Sequence, residues 1–483
     1  MTKTDITIIG AGPGGLFAAI EIVEKADDEI KLLVIDKGKP APIRKCQALI
    51  DNCKKCKICE LISGGGGAGL FSDGKLIFDI YSGGYLEKII QSDKKEGIEK
   101  RIKEIIETFT SEYLYKNPLV PEYVSDCLQK QKNLKFKPYP VIHISSNNLK
   151  VFSQRLISYL QKRNVKFLFN TEVKEFQYDI SSNRWIIKIT NGKNSQIIES
   201  KYLIGSVGKE GNFWFTELIK ELGGSVEDNS TYMGVRIEIS DSTAKKLYEI
   251  SFDPKFCFKK DNIKIKTHCF CRHGQVLLLK YFDLPLVGGH TPYLEINKQY
   301  SPGKFPNSNF AILYRDETVC TKDKALDIMR RVNLITGGKL LVQRLEDYIK
   351  NIPTTYEKLS VNRIKPSNSN IVPGQILDEF LPGFREIFIR FLELLDSCFP
   401  GIMNSDNLLY FPAIEWWMRR VDVNEENMEV KNLLNLYAIG DGSGWTQGIV
   451  QSAATGIIAA KDILQKIKCS EKIKQKEVQP CVF

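Results

Sequence analysis

Short apolar, β-branched runs alternate with helically spaced apolar residues through the first two hundred positions of this chain. Ile6-Thr7-Ile8-Ile9 predicts a buried strand. Glycines follow at once, and residues 16–25 carry Ala and Ile at helical spacing. Lys31-Leu32-Leu33-Val34-Ile35 predicts a second strand that ends at Asp36. Residues 39–84 break the rhythm with a long excursion rich in Cys and Gly. Within 86–110, Ile98, Ile102, Ile105, Ile106 and Phe109 recur on one helical face as a packing stripe, and the helical insertion they open extends to 135. A helix over 151–162 and a strand over 165–169 follow. Residues 174–178, 185–189 and 196–200 predict a small antiparallel meander, after which 202–205 returns as a strand.

The pattern then changes. Between 216 and 375, β-type runs at 233–239, 264–270, 275–281 and 310–314 are separated by polar turns, which predicts a mixed or antiparallel sheet. Residues 376–395 read as helical, 436–439 as a strand, and 448–466 as a final helix. The order predicts an α/β chain in which 1–215 and 376–468 form one domain. A second, β-rich domain of 216–375 lies between them, and 469–483 is a tail. No internal repeat or low-complexity linker interrupts this order.

Bulk properties narrow the class. A length of 483 residues suits two domains, and 43% hydrophobic with 26% charged residues is ordinary for a soluble globular chain. No apolar run is long enough to cross a membrane, so no membrane partner is expected. The first strand begins near residue 1, so no signal peptide is expected. Twelve cysteines then imply a reducing cytoplasm, with metal or redox use in preference to structural disulfides. The net charge of +10 reads as a lysine-rich solvated surface. No compact RNA-binding module is legible, so nucleic acid is not an expected partner.

Gly10-Ala11-Gly12-Pro13-Gly14-Gly15 sits between the first strand and the first helix. There Gly10 permits the tight turn, Gly12 lets backbone approach a pyrophosphate, and Gly15 lets the helix pack against the strand. The phosphates would meet the helix N-terminus. Asp36 falls about 20 residues after the last glycine, where an acid binds ribose hydroxyls. More than four hundred residues later stands Gly440-Asp441-Gly442-Ser443-Gly444. The two motifs together predict one cofactor site, for FAD, made from both ends of the sequence.

With Val173 after a strand and Ser206-Val207-Gly208, these motifs resemble the four recurring elements of the glutathione-reductase-type FAD-binding Rossmann fold. The resemblance implies that Val173 holds the adenine by its backbone and that Asp441 binds the ribitol and pyrophosphate region. It further implies that the last helix aims its start, near Gly448 and Ile449, at the flavin. Pro13, Gly14, Lys37, Arg44, Gly67 and Gly208 join this cofactor set. More narrowly, the chain resembles a family of poorly characterised bacterial and archaeal FAD-dependent dehydrogenases. The matching segments are residues 66–76 with their Ser72-Asp73-Gly74-Lys75 core, Gly234-Val235-Arg236-Ile237-Glu238, Cys269-Phe270-Cys271 and residues 437–444. The chain departs from that family at Arg272-His273, where Pro-Gly is usual, and in the aromatic Glu415-Trp416-Trp417.

Other groups supply candidate chemistry. Cys46, Cys53, Cys56 and Cys59 have gaps that suit tetrahedral zinc or an iron–sulfur cluster, a redox dithiol, or a loop of unligated thiols. The consecutive glycines 64–67 and the segment 72–75 are expected beside the flavin ring, with Lys75 stabilising negative charge on the reduced form. Cys269, Cys271 and His273 alternate, so on a strand they share one face, for packing, metal or substrate; Cys271 is the candidate catalytic thiol. Trp416 and Trp417 read either as core or as a wall of a substrate pocket, with Glu415 or Arg419 orienting a polar group. A single dinucleotide fingerprint implies that the flavin exchanges electrons with a small-molecule substrate, an electron-carrier protein or a transient NAD(P)H. The expected function is an FAD-dependent oxidoreductase. An electron-transfer module with a cysteine-bound cluster, or a flavoenzyme acting on tRNA, is the alternative.

Overall fold

The computed structural model describes residues 2–27, 29–49, 54, 56–110, 112–131, 133–144, 146–281, 284–291, 305–415 and 418–478. Its first sheet has seven strands. Five run parallel in the spatial order Lys166–Leu168, Leu32–Ile35, Thr2–Ile9, Ser195–Gly205 and Leu436–Ala438. Arg184–Thr190 and Glu172–Asp179 add an antiparallel extension to the first half of Ser195–Gly205. Residues 196–200 and 202–205, expected as separate strands, are thus one strand. Its first half serves the meander and its second half the parallel ladder, so no turn is needed at Lys201. Leu32–Ile35 is buried at every position, as a parallel strand covered on both faces requires. Helices Pro13–Lys25 and Ile449–Val478 pack together so closely that a Cβ on Gly456 would stand 2.2 Å from the Gly14 carbonyl oxygen.

A second, mixed sheet has eight strands: Ile371–Pro373, Leu340–Arg344, Leu408–Ile414, Met233–Ser240, Asn307–Arg315, Ile263–Cys271, Lys255–Lys260 and Leu134–Lys137. Only the first pair is parallel. One face is apolar, with Val235, Ile237, Phe256, Ile265 and Ile312 in a core shared with helices Lys322–Thr336 and Phe384–Cys398. Among the described residues the hairpin Gln275–Tyr281 and Leu284–His290 pairs only with itself, and Val276 and Val287 pack with Ala311, Leu313 and Tyr410. Residues 376–414, grouped by sequence with the nucleotide domain, belong physically here. Phe388 and Phe391 of the helix and Leu409 and Phe411 of the strand lie in the second core.

The insertion 86–135 braces the two sheets. Helix Ser92–Phe109 buries its predicted stripe in the first core, and Arg101 pairs with Glu21 at 2.7 Å and with Glu24. Helix Glu122–Lys130 buries Val124 in the second core, and strand Leu134–Lys137 closes the edge of the second sheet. The expectation that the cysteines are reduced fails at Cys127 and Cys398, which form a disulfide with Cα atoms 5.6 Å apart. They are 271 residues apart, so no local spacing announces the pair. No described helix is long and apolar enough to cross a membrane.

Candidate cofactor and substrate site

Glycine pins the centre of the molecule. Gly10 has φ +110°, and a Cβ there would lie 2.0 Å from the Ser206 carbonyl oxygen. A Cβ on Gly15 would lie 2.2 Å from the Gly10 oxygen. Gly14 faces Ser206 Oγ and the Gly440 Cα, and Gly12 faces the Cα of Gly67. The first turn, the Gly64–Gly67 loop, the end of the fourth parallel strand and the C-terminal glycine motif therefore meet at one point. Helix Pro13–Lys25 has Gly12 at its N-cap and no side-chain cap, so its first N–H groups remain available to an anion. Gly208, at φ +67°, opens the helix Gly208–Glu221, and a Cβ there would meet nothing within 4 Å.

Two carboxylates are held on either side of this point. Asp36 Oδ2 accepts from the Ala11 N–H and Oδ1 from the Gly38 N–H, both at 2.8 Å. It is half-buried, and enclosure by packed atoms raises its pKa, against the opposing pull of those N–H groups and of Arg44 and Lys37. The backbone of Asn170 and Thr171 bonds to Gly38 and Asp36, which brings buried Val173 to the same rim. Asp441 Oδ1 accepts from Thr446 Oγ1 at 2.8 Å, Ser452 Oγ at 2.9 Å and the Gly448 N–H at 3.2 Å. Its other oxygen lies 3.7 Å from Lys209 Nζ. Asn212, fully buried, ties this segment down through the carbonyls of Gly442 and Arg419, a role no sequence motif announced. A glycine-lined cradle, an uncapped helix start and two fixed carboxylates fit a dinucleotide such as FAD.

Arg44 acts indirectly. Its fully buried guanidinium donates to the carbonyls of Glu60, Leu61, Gly64, Gly65 and Gly67 at 2.7–3.3 Å. Burial lowers its pKa to about 10, against Asp36, Cys59, Glu60 and Cys46. Named by sequence among the cofactor residues, Arg44 directs its guanidinium to the carbonyls of the glycine loop. Lys37 pairs with Glu210 at 2.8 Å, and Ser63 donates to the same carboxylate. Cys46 and Cys59 stand near Arg44, Cys56 is exposed, and Cys53 lies outside the described residues. Among the described residues no His, Cys, Asp and Glu side chains gather as a metal site.

The segment 72–75 links the two domains. A Cβ on Gly69 would meet Ile449 Cδ1 at 2.9 Å, at the start of the last helix. Farther along, Lys75 lies 2.9 Å from Asp73 and donates to the Phe270 carbonyl in the second sheet. Burial alone would lower its pKa, but Asp73, Asp253, Cys271 and Cys269 hold it well above the ordinary lysine value. Cys269 and Cys271 have sulfurs 4.0 Å apart, and Arg236 donates to Cys271 Sγ at 3.2 Å. The expected alternation is broken: Cys269 has φ +50° and the ladder shifts register between His268 and Cys271. His273 faces Asp241 at 3.3 Å instead. The Cys271 contact and Arg236 hold the Cys269 thiol's pKa low, while Cys269 and burial push Cys271 up. Arg236 lies within residues 234–238, and only the fold brings it to Cys271.

Glu415 is buried 3.0 Å from Lys266 Nζ. Burial alone would raise its pKa; Lys266, His268 and Lys209 carry it down to about 2. Burial lowers His268 to about 3, so it stays neutral. Lys266 Nζ stands 3.8 Å from the Tyr232 ring centroid. Arg419, offered as a substrate group, is occupied by Glu217 and by Asp228 at 3.2 Å. Arg420 stacks on Tyr85 and Trp445. Trp416 and Trp417 lie outside the described residues.

No protein-family model matches the chain. An uncharacterized protein of Clostridium beijerinckii is 23% identical over 503 residues, covering 96% of this chain and 81% of its own. Among solved structures, a flavoprotein/dehydrogenase from Cytophaga hutchinsonii aligns with TM-score 0.40 and 11% identity, over 97% of this chain and 79% of that one. p-Nitrophenol 4-monooxygenase from Pseudomonas putida aligns with TM-score 0.41 and 9% identity, over 98% and 82%. L-α-Glycerophosphate oxidase from Mycoplasma pneumoniae, with FAD bound, aligns with TM-score 0.39 and 11% identity, over 96% and 95%. Likeness at this level decides neither reaction nor substrate for this chain.

Proposed function

We propose that the protein is an FAD-dependent oxidoreductase acting on a small organic molecule, with a glutathione-reductase-like FAD domain. The observation that carries this reading is the convergence of Gly10–Gly15, Asp36, Gly67, Gly208 and Gly440–Gly448 at one point. Asp36 would hold the adenosine ribose, with Val173 beside the adenine. The first turn of Pro13–Lys25 would take the pyrophosphate, and Asp441 with Lys209 the ribitol end. Gly67, Gly69 and Ile449 would border the ring. When bound, FAD supplies an isoalloxazine that carries hydride or single electrons. The chain's own part is to orient that ring, exclude water and supply fixed charge, with Lys75 as a permanently protonated cation. Arg44 serves by shaping the glycine loop.

The second sheet argues for a substrate-binding role. Among the described residues it has no strand–glycine turn–helix of the dinucleotide type, so a resident NAD(P)H domain is not part of the proposal. Electrons would come from or go to the substrate, a carrier protein or a docking NAD(P)H. The proposal includes no metal. Gentle purification followed by gel filtration with added FAD tests it: a flavin band should coelute with the protein, and substrate-free photoreduction should bleach it. A folded protein that elutes colourless overturns the proposal.

A further inference from the structure

The face of the second sheet opposite its apolar core carries cations at its open end. Antiparallel partners share a face, as do positions two apart on a strand. Lys264 and Lys266 are two apart, and Lys264 is opposite Arg315. Lys266 is opposite Cys257, two from Lys255, which is opposite Lys137. By this rule Lys135, Lys137, Lys255, Lys259, Lys264, Lys266 and Arg315 lie on one face, and of these Lys255 is paired with Asp253 at 2.7 Å. Three of them gather on one ring: the Tyr232 centroid is 3.8 Å from Lys266 Nζ, 4.9 Å from Arg315 Cζ and 5.9 Å from Lys264 Nζ.

Their compensation is incomplete. Glu415 is engaged by Lys266 at 3.0 Å. Among the described residues the one carboxylate within 4 Å of Arg315 is Glu317, at 3.9 Å on the exposed rim. Among the described residues no carboxylate lies within 4 Å of Lys264 or Lys137. Burial together with the charges of Lys137 and Arg315 lowers the Lys264 pKa, with Cys257 and Glu415 opposing. Like charges brought together in a half-buried place cost the free protein stability, and a bound anion removes that cost.

The patch adjoins the cofactor cleft. Lys209, which lies 3.7 Å from Asp441, contributes to the depressed pKa of Glu415. Tyr85 donates its backbone N–H to the Trp445 carbonyl at 2.9 Å just past the glycine motif, Arg420 lies 4.8 Å and 4.9 Å from the two rings, and burial raises the Tyr85 pKa against the charges of Arg315 and Arg420. We infer that this patch is the substrate site, and that the substrate is a flat organic molecule bearing at least two anionic groups, carboxylate or phosphate. Tyr232 packs against its plane, Lys264, Lys137 and Arg315 take its charges, and the Lys266–Glu415 pair fixes its orientation. This inference rests on the flavin-oxidoreductase reading for calling the ligand a substrate, but not for the anion site itself.

The test uses the full chain with added FAD, gel-filtered, and benzene-1,3,5-tricarboxylate as the probe. Its neutral tricarboxamide is the charge control and phenyl phosphate the phosphate arm. Calorimetry should show that the tricarboxylate binds and that binding weakens with salt, while the tricarboxamide does not bind. Tighter binding of phenyl phosphate assigns the anion as phosphate; tighter tricarboxylate binding assigns it as carboxylate. Lys264→Gln and Arg315→Gln should each weaken binding about tenfold or more, and Lys188→Gln on the far sheet should not. Lys264→Gln should also raise the melting temperature of the ligand-free protein, which a merely structural lysine would not do. Equal binding by wild type and Lys264→Gln, or equal binding of the tricarboxamide, overturns the inference. Flavin bound without tricarboxylate binding overturns the anion site alone. Lys264-dependent binding in a protein that retains no flavin supports the anion site and overturns the oxidoreductase reading.

Discussion

Replacing Arg44 by Met keeps the aliphatic stem and removes the guanidinium that gathers the glycine loop. Six N–H···O contacts of 2.7–3.3 Å to five carbonyls disappear, and those oxygens sit where water has little access. A hydrogen bond from a charged donor is worth about 1.5–3 kcal/mol, while removing the charge also releases its burial cost. Each buried carbonyl left unpaired costs about 1–3 kcal/mol, so after the offset from the released charge the balance is a loss of about 3–5 kcal/mol. Part of that loss is local, because the loop loosens before the sheets do. FAD must then re-order the loop on binding, and each 1.4 kcal/mol so used weakens affinity about tenfold. Arg44→Met should thus raise the FAD Kd by about ten- to a hundredfold and lower the urea midpoint. Arg44→Lys should rescue little, since a point ammonium cannot reproduce a planar fork across five carbonyls. Urea denaturation and fluorescence titration with FAD measure both quantities. A midpoint and Kd equal to wild type would refute the idea that Arg44 holds the loop in its binding form.

Three further outcomes follow from the same geometry. Glu415 has its folded pKa depressed to about 2, so the stability it contributes is full above the unfolded value near 4.5 and is lost as pH falls toward 2; the stability gap between wild type and Glu415→Gln should close over that window, and a gap constant from pH 6 to 2 contradicts the assignment. His268 stays neutral down to about pH 3 in the fold, while the unfolded chain takes its proton near 6.5, so His268→Gln should flatten the acid limb of the stability curve between those values; an unchanged limb argues against burial as the cause. Cys269 is the more acidic thiol of its pair, so iodoacetamide at neutral pH should label it ahead of Cys271, as read by peptide mass spectrometry, and first labelling at Cys271 reverses the assignment.

The nucleotide half was readable because each of its elements is local. Ile6–Ile9, the glycine turn, the helix after it and Asp36 follow one another within forty residues, and each has a distinct pattern. The strand Leu436–Ala438 joined them only because its glycine motif has its own signature. What the sequence hid depends on distant pairing. Arg44 looked like a ligand since its partners are backbone carbonyls, which no sequence displays. The strand Leu408–Ile414 reads like any apolar run, so its place in the second sheet was invisible. Cys127 and Cys398 meet only because two helices pack together. The cationic face appears in the sequence as scattered lysines, and only strand register turns it into a patch. Left-handed Cys269 defeated the alternation rule that placed Cys269, Cys271 and His273 together.

In the proposed function both ends of the chain build one FAD site. Equilibrium titration of apoprotein with FAD, followed by flavin fluorescence, tests it most directly when run beside Asp36→Ala and Asp441→Ala. One FAD bound per wild-type chain, with each substitution weakening affinity while circular dichroism stays native, is the predicted result. Saturable FAD binding that neither substitution alters, or no FAD binding by folded wild-type protein, would contradict it.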